Sequence, residues 1–268
     1  MAKIRLDILL HTQGLAPSRE KARAMIMAGE VKVNGVQIDK PGTGVNEAAE
    51  ITIESISPRY VSRGGFKLEK AIQDFQVDFQ NKVMLDVGAS TGGYTDCALQ
   101  NGARKVYALD VGYGQLDWSL RNDSRVVNIE RTNVRYFTLQ DLGEQVDIIT
   151  VDVSFISTAL VFPVIKDLLH EDGVIISLIK PQFEAGKDKV GKKGVVRDAS
   201  VHRQVLLQCI DYARRAGLNC TGITYSPITG PQGNIEYLLY LKKRGEPLEN
   251  LDNMVNSIVQ EAHLKLGG

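Results

Sequence analysis

Four apolar runs, each closed by a charged residue, constrain this 268-residue chain more than any other feature. They are Val83-Met84-Leu85 before Asp86, Val106-Tyr107-Ala108-Leu109 before Asp110, Ile148-Ile149-Thr150-Val151 before Asp152, and residues 174–179 before Lys180. Short apolar, β-branched runs separated by helix-compatible stretches read as parallel strands buried on both faces. Open parallel sheets bind ligands outside the carboxyl ends of their strands. One aspartate at a strand end is often only a turn or cap residue. Three carboxylates and an amine closing four strands outline an active site.

The first strand end also carries a glycine loop, Asp86-Val87-Gly88-Ala89-Ser90-Thr91-Gly92-Gly93-Tyr94, leading into a helix-compatible stretch at 95–100. Glycines let backbone approach a ligand closely, and the helix start that follows offers free N–H groups. The spacing departs from the dinucleotide fingerprint G-x-G-x-x-G, because Ser90 replaces a glycine and an acid precedes the first one. It resembles motif I of S-adenosylmethionine methyltransferases. The resemblance implies S-adenosyl-L-methionine as cofactor, held around Asp86, Gly88, Ser90, Gly92 and Gly93. Asp110, closing the next strand, is positioned to accept both ribose hydroxyls.

Hydrophobic content of 43% and charged content of 24% are those of a soluble globular protein. Formal net charge is zero, so affinity for nucleic acid must come from local patches. Cys97, Cys209 and Cys220 form neither a metal-like pair nor a disulfide framework. The histidines, at 11, 170, 202 and 263, lack ligand or triad spacing, and no metal is expected. The start, Met1-Ala2-Lys3-Ile4-Arg5, has no apolar signal-peptide core. No apolar run approaches the ~18–20 residues that span a bilayer. A cytoplasmic protein with no membrane partner is expected.

Residues 1–58 read as a separate small α+β module, 59–63 as a linker and 64–268 as the catalytic domain. The module shows helices at 4–12 and 19–28, a hairpin of 31–33 and 36–38 around Asn34-Gly35, and a third strand at 51–53. Arg5-Leu6-Asp7, Leu15-Ala16-Pro17-Ser18-Arg19, Gly29-Glu30-Val31 and Val33-Asn34-Gly35 make it resemble the alpha-L RNA-binding module, the S-four-type ribosomal fold. That fold implies RNA held by the second helix and the hairpin. Arg5, Arg19, Lys21, Arg23 and Lys32 are the expected contacts, electrostatic and salt-sensitive.

In the catalytic domain, helices are expected at 66–75 and 201–216, a last strand at 235–241, and an amphipathic tail helix at 248–266. Residues 186–197, with five basic residues and one acid, read as a mobile basic loop offering Lys189, Lys192 and Lys193 to RNA. Phe155 is a candidate for stacking on a flipped-out base, or for the core.

Ser62-Arg63-Gly64-Gly65-Phe66-Lys67, Val151-Asp152-Val153-Ser154-Phe155, Ile179-Lys180-Pro181-Gln182 and Gly233-Asn234-Ile235-Glu236 resemble the blocks of FtsJ-type ribose 2′-O-methyltransferases. Their Lys-Asp-Lys-Glu tetrad falls on Lys67, Asp152, Lys180 and Glu236. With the N-terminal module, the chain resembles the TlyA-family rRNA methyltransferases over nearly its whole length. The resemblance implies a Rossmann-like, mostly parallel seven-strand sheet. It also implies Asn133 on the adenine side of the cofactor, and 2′-O-methylation of cytidine in ribosomal RNA of one or both ribosomal subunits. Lys180 would contact the target hydroxyl and Asp152 would position it, also beside the cofactor. Lys67 and Glu236 would complete the frame. The rival readings are a pore-forming haemolysin, which needs a membrane-seeking segment, and a non-catalytic RNA-binding assembly factor.

Overall fold

In the computed structural model the described residues are 3–27, 29–53 and 59–267. The chain divides into two units, Met1–Arg59 and Tyr60–Gly268. Ala28, at the end of the expected second helix, and residues 57–58, at the expected domain boundary, lie outside the described residues.

The first unit opens with strand β1 (Lys3–Arg5), helix α1 (Leu6–Thr12) and helix α2 (Arg19–Met27). The expected helix at 4–12 therefore starts later. Ile4 pairs with Val45 of a strand not anticipated from sequence, β4 (Gly44–Asn46), and this ladder overrides the local helical pattern. Leu6, Leu9 and Leu10 of α1 and Ala22 and Ile26 of α2 repeat at helical spacing, and all are buried. β2 (Val31–Val33) turns into β3 (Val36–Gln37) through Asn34 and Gly35, whose φ of 50° and 80° suit a tight hairpin turn. β5 (Ile51–Ile53) pairs with the other edge of β2.

The second unit is one seven-stranded sheet. Its strands are β6 (Val83–Val87), β7 (Lys105–Leu109), β8 (Val126–Ile129), β9 (Val146–Val151), β10 (Leu169–Ile179), β11 (Asn219–Tyr225) and β12 (Tyr237–Lys242). They lie in the order β11-β12-β10-β9-β6-β7-β8. β12 runs antiparallel to both its neighbours, β11 and β10, and the other pairs are parallel. Each central strand sends alternate residues to opposite faces. Leu85, Val87, Ile149 and Ile175 pack with α7 (Phe162–Leu168), α9 (Ala199–Arg215) and α10 (Leu251–Leu266). Met84, Val106, Ile148 and Ile176 pack with α3 (Gly64–Phe75) and α4 (Gly93–Gln100). With both faces covered, the strands read as continuous apolar runs.

The tail helix α10 buries Val255, Val259 and Ala262 in this core. No helix among the described residues is long and apolar enough to cross a membrane. The segment 186–197, expected as a mobile loop, is anchored in its second half. Val195 and Val196 are buried, and Asn234 accepts the Val196 N–H at 3.0 Å while donating to the Gly194 carbonyl at 2.8 Å.

The chain runs β6, β7, β8 across one side of β6 and then crosses back to place β9 on the other. The β6/β9 junction is therefore the topological switch point, where open α/β sheets bind ligands.

Candidate active site

The two strand ends at the switch point touch. The Asp152 N–H donates to the Val87 carbonyl at 2.9 Å. Gly88 has φ +87°, and a Cβ there would lie 2.6 Å from the Asp152 carbonyl oxygen. Position 88 thus requires glycine, both for its left-handed backbone and for the close approach of β9.

Of the four charged strand ends, three reach the rim. Asp86, expected at the cofactor, does not. It is fully buried beneath the loop, accepting from Thr95 Oγ1 at 2.7 Å and Thr150 Oγ1 at 2.9 Å, and lines neither cavity. Burial pushes its carboxyl up to about 6, against the pull of the two hydroxyls. Gly92 is also turned away from the cavities: a Cβ there would meet Leu120 Cδ1 at 2.3 Å, so its missing side chain makes room for protein. Gly93 lines the smaller cavity, and its lack of a Cβ also lets α4 meet α3, because a Cβ would lie 2.8 Å from the Gly65 nitrogen.

Two cavities open at the switch point and share Gly88, Ser90, Asp152 and Ser154. The larger, about 660 Å³, is walled by Leu109, Val111, Val134 and Ile156, with Asp110, Gln115, Thr132, Asn133 and Arg135 among its polar groups. Asp110 Oδ2 accepts the Ser90 N–H at 2.8 Å and Oδ1 accepts the Gly112 N–H at 2.7 Å, so it anchors the glycine loop. Each carboxylate oxygen keeps a further lone pair for a ligand. Asn133 Oδ1 accepts the Arg135 N–H at 3.0 Å, which fixes the orientation of its amide. A partly apolar slot with Asp110 and Asn133 among its polar groups and a glycine floor suits a nucleoside.

The smaller cavity, about 490 Å³, holds the charged cluster. Lys67 Nζ lies 2.6 Å from Glu236 Oε2 and 3.6 Å from Asp152 Oδ2, and Lys180 Nζ lies 2.5 Å from Asp152 Oδ1. Glu236, Lys67, Asp152 and Lys180 therefore form one alternating chain of charge, drawn from the segment before β12, from α3, and from the ends of β9 and β10. Lys67 is 8% exposed and Glu236 1%, which removes a solvated-surface role for either. Burial raises the Glu236 carboxyl, while Lys67 holds it down.

Sequence reasoning missed three residues here. Ser154 Oγ accepts from Lys180 Nζ at 3.0 Å. Arg63 lines the cavity with one guanidinium arm bonded to the Thr229 carbonyl at 2.7 Å. Tyr94 lines it too, its buried hydroxyl lacking a hydrogen-bond partner among the described residues. Ser154 and Arg63 sit inside the sequence blocks that carry the tetrad, a signal of place though not of role. A buried phenol without a partner has no sequence signal.

Phe155 is not a core residue. It is 90% exposed with φ +63°, and its ring meets Phe183 at 4.8 Å on the cavity lip. Lys189, Lys192 and Lys193 are exposed, with Lys189 bonded to Gln204 at 2.7 Å.

In the first unit, Lys21 and Arg23 are exposed on α2, and Lys32 is half-buried on β2. Arg5 and Arg19 are half-exposed but committed to the protein. Both guanidinium groups bond the fully buried Asp7, Arg5 at 2.9 Å and Arg19 at 3.0 Å. The Arg5 hydrogen bond leads in holding the Asp7 carboxyl down at about 2.

Comparison with known proteins agrees with this architecture. Residues 60–243 match the FtsJ-like methyltransferase model and residues 4–51 the S4 domain model. The chain is 50% identical to a Bacillus subtilis protein provisionally named an rRNA methyltransferase, YqxC, over 98% of this chain and 95% of that one. It is 42% identical to the 16S/23S rRNA (cytidine-2′-O)-methyltransferase TlyA of Mycobacterium tuberculosis, over 97% and 98%. A solved, haemolysin-labelled structure from Streptococcus thermophilus superposes with a TM-score of 0.78 at 41% identity, covering 100% of this chain and 98% of that one.

Proposed function

The chain belongs to the TlyA family of FtsJ-like methyltransferases, and from that membership we propose that it 2′-O-methylates cytidine in ribosomal RNA with S-adenosyl-L-methionine. The observation that carries the reading is the unbroken ion-pair chain from Glu236 to Lys180 at the switch point.

The residues present fit the cofactor. The larger cavity with Asp110 and Asn133 suits its ribose and adenine, and Gly88 keeps the floor open beside the charged cluster. When bound, S-adenosyl-L-methionine supplies an electrophilic methyl group. This chain supplies placement, and holding reactants in line is worth up to ~7–11 kcal/mol.

Lys180 orients the attacking 2′-hydroxyl and, as the neutral amine, takes its proton. Asp152 holds the Lys180 amine, and Lys67 holds the other Asp152 oxygen. Glu236 neutralises Lys67, whose burial would otherwise be costly. Phe155, exposed at the lip, offers a face on which the target base stacks, worth roughly 1–3 kcal/mol. The S4 unit, with Lys21 and Arg23, grips the RNA backbone. The intact frame favours catalysis over RNA binding alone. The tail helix buries its apolar stripe, which removes the foothold of a pore-forming reading.

The test is transfer of labelled methyl to purified ribosomal subunits in a single turnover at saturating cofactor and RNA. Lys180→Ala should lower the rate by about 10²–10⁴. Lys180→Arg should not restore it, since a guanidinium stays protonated and is shaped differently. A Lys180→Ala rate within a few-fold of wild type sinks the assignment. Absence of label in either subunit with wild-type protein sinks the proposed activity.

A further inference from the structure

The ion-pair chain explains Asp152 but leaves one contact of Lys180 without a role, the 3.0 Å hydrogen bond to Ser154 Oγ. We propose that Ser154 is a positioning residue that sets the direction of the Lys180 amine. The inference rests on the reading of Lys180 as the group that meets the target hydroxyl.

A lysine amine in its charged form carries three N–H bonds in a tetrahedral array and accepts nothing. Asp152 Oδ1, at 2.5 Å, takes one of them. With that bond alone the head can swing about the Nζ···Oδ1 line, and its other two N–H bonds sweep an arc. A second acceptor in a different direction ends the swing. Ser154 Oγ is that acceptor, and it leaves the third N–H with the open side, the cavity that Lys180 lines. In the neutral amine that third position is a lone pair, and it receives the proton when the amine acts as base. Ser154 lines both cavities, so it stands where the two halves of the site meet.

The segment carrying Ser154 is held at both ends. Before it, the Asp152 N–H is bonded to the Val87 carbonyl at 2.9 Å. After it, Glu184 accepts from Ser157 Oγ and from the Thr158 N–H, each at 2.7 Å. Glu184 lies in α8 (Pro181–Glu184), the turn that directly follows Lys180. The Ser154 hydroxyl and the Lys180 amine are thus mounted on two segments clamped to each other. Ser154 itself is exposed, so removing its hydroxyl opens no core cavity and leaves folding intact.

Single-turnover methyl transfer to ribosomal subunits tests this in wild type, Ser154→Ala, Ser154→Thr, Lys180→Ala and the Ser154→Ala/Lys180→Ala double variant. Ser154→Ala should slow the step roughly 10- to 100-fold, the range for one hydrogen bond to a charged group. KM for the subunits and calorimetric affinity for S-adenosyl-L-methionine should stay at wild-type values. Ser154→Thr should recover most of the rate, because it keeps the hydroxyl. In the Lys180→Ala background the Ser154→Ala change should cost nothing further, since its effect passes through the amine. A Ser154→Ala rate equal to wild type, beside a collapsed Lys180→Ala rate, overturns the role of Ser154 alone. An equal cost of Ser154→Ala with and without Lys180 does the same. A near-normal Lys180→Ala rate overturns the reading of Lys180 and the inference with it.

Discussion

Asp86, the penultimate residue of β6, and Asp110, just past the end of the adjacent β7, do different work, and the difference is decided by depth. Asp86 is sealed under the glycine loop with a hydroxyl on each oxygen. Asp110 stands on the rim, holding the Ser90 and Gly112 amides and facing the larger cavity. Asp110→Ala should therefore weaken S-adenosyl-L-methionine by about 1.5–3 kcal/mol, the worth of hydrogen bonds to a charged acceptor. Asp110→Asn keeps an acceptor and should lose less. Calorimetry with the cofactor measures both, and undiminished affinity in the alanine variant would exclude Asp110 from the ribose. Ser90 and Phe155, both non-glycine residues with positive φ, sit on the same rim, where strained backbone is commonly retained for function.

Among the elements, α9, α10 and β12 converge on His202. Its Nε2 donates to the Val196 carbonyl at 3.0 Å, which assigns Nδ1 as the acceptor facing the Tyr237 hydroxyl at 2.8 Å. His263 of α10 approaches the same Nδ1 at 3.0 Å. Burial leads in pushing His202 down from 6.5 to about 4, so the folded protein keeps it neutral. The unfolded chain binds the proton more readily. Stability is then highest above about 6.5 and falls as pH drops toward about 4, by on the order of 3 kcal/mol for this group. Urea unfolding of wild type and His202→Gln between pH 4 and 7.5 checks it, within the protein's range of reversible unfolding. The variant should show a shallower slope across that window, and parallel slopes would refute the assignment. The same cluster explains why the segment around Val196 is pinned: its carbonyl is the histidine's partner.

At the scale of the whole molecule, the proposed tasks fall on separate units. The proposed catalytic residues all belong to the second unit, and Lys21 and Arg23, exposed on α2, belong to the first. Changing Lys21 and Arg23 together to alanine should weaken binding to ribosomal subunits. It should flatten the slope of log affinity against log salt by up to about two, one for each phosphate left without its cation. Calorimetric affinity for S-adenosyl-L-methionine should not change. A slope equal to that of wild type would move the RNA-binding surface away from α2. Arg19 is left out of this variant on purpose. Its removal would strip a partner from the buried Asp7 and confound weakened binding with weakened folding.

The central strands, the glycine loop and the strand-end charges Asp110, Asp152 and Lys180 were legible in the sequence because each rests on local signals, whereas the seven-strand sheet and the places of Lys67 and Glu236 came from the family resemblance. Apolar runs buried on both faces, a turn that demands glycine, and charges at strand ends survive in one dimension. β1 and β4 were not legible, because three-residue strands exist only by pairing with each other across forty residues. Nor were the fates of Asp86 and Gly92, whose neighbours Thr150 and Leu120 come from elsewhere in the chain. Arg5 and Arg19 read as free cations until folding brought the buried Asp7 between them. Sequence alone determined which chemistries the strand ends could hold. Tertiary structure decided which of those groups face the cavities, which serve the fold, and which hydroxyl stands beside the Lys180 amine. Depth, direction and pairing partner are properties of packed space, and residues distant in the chain set them.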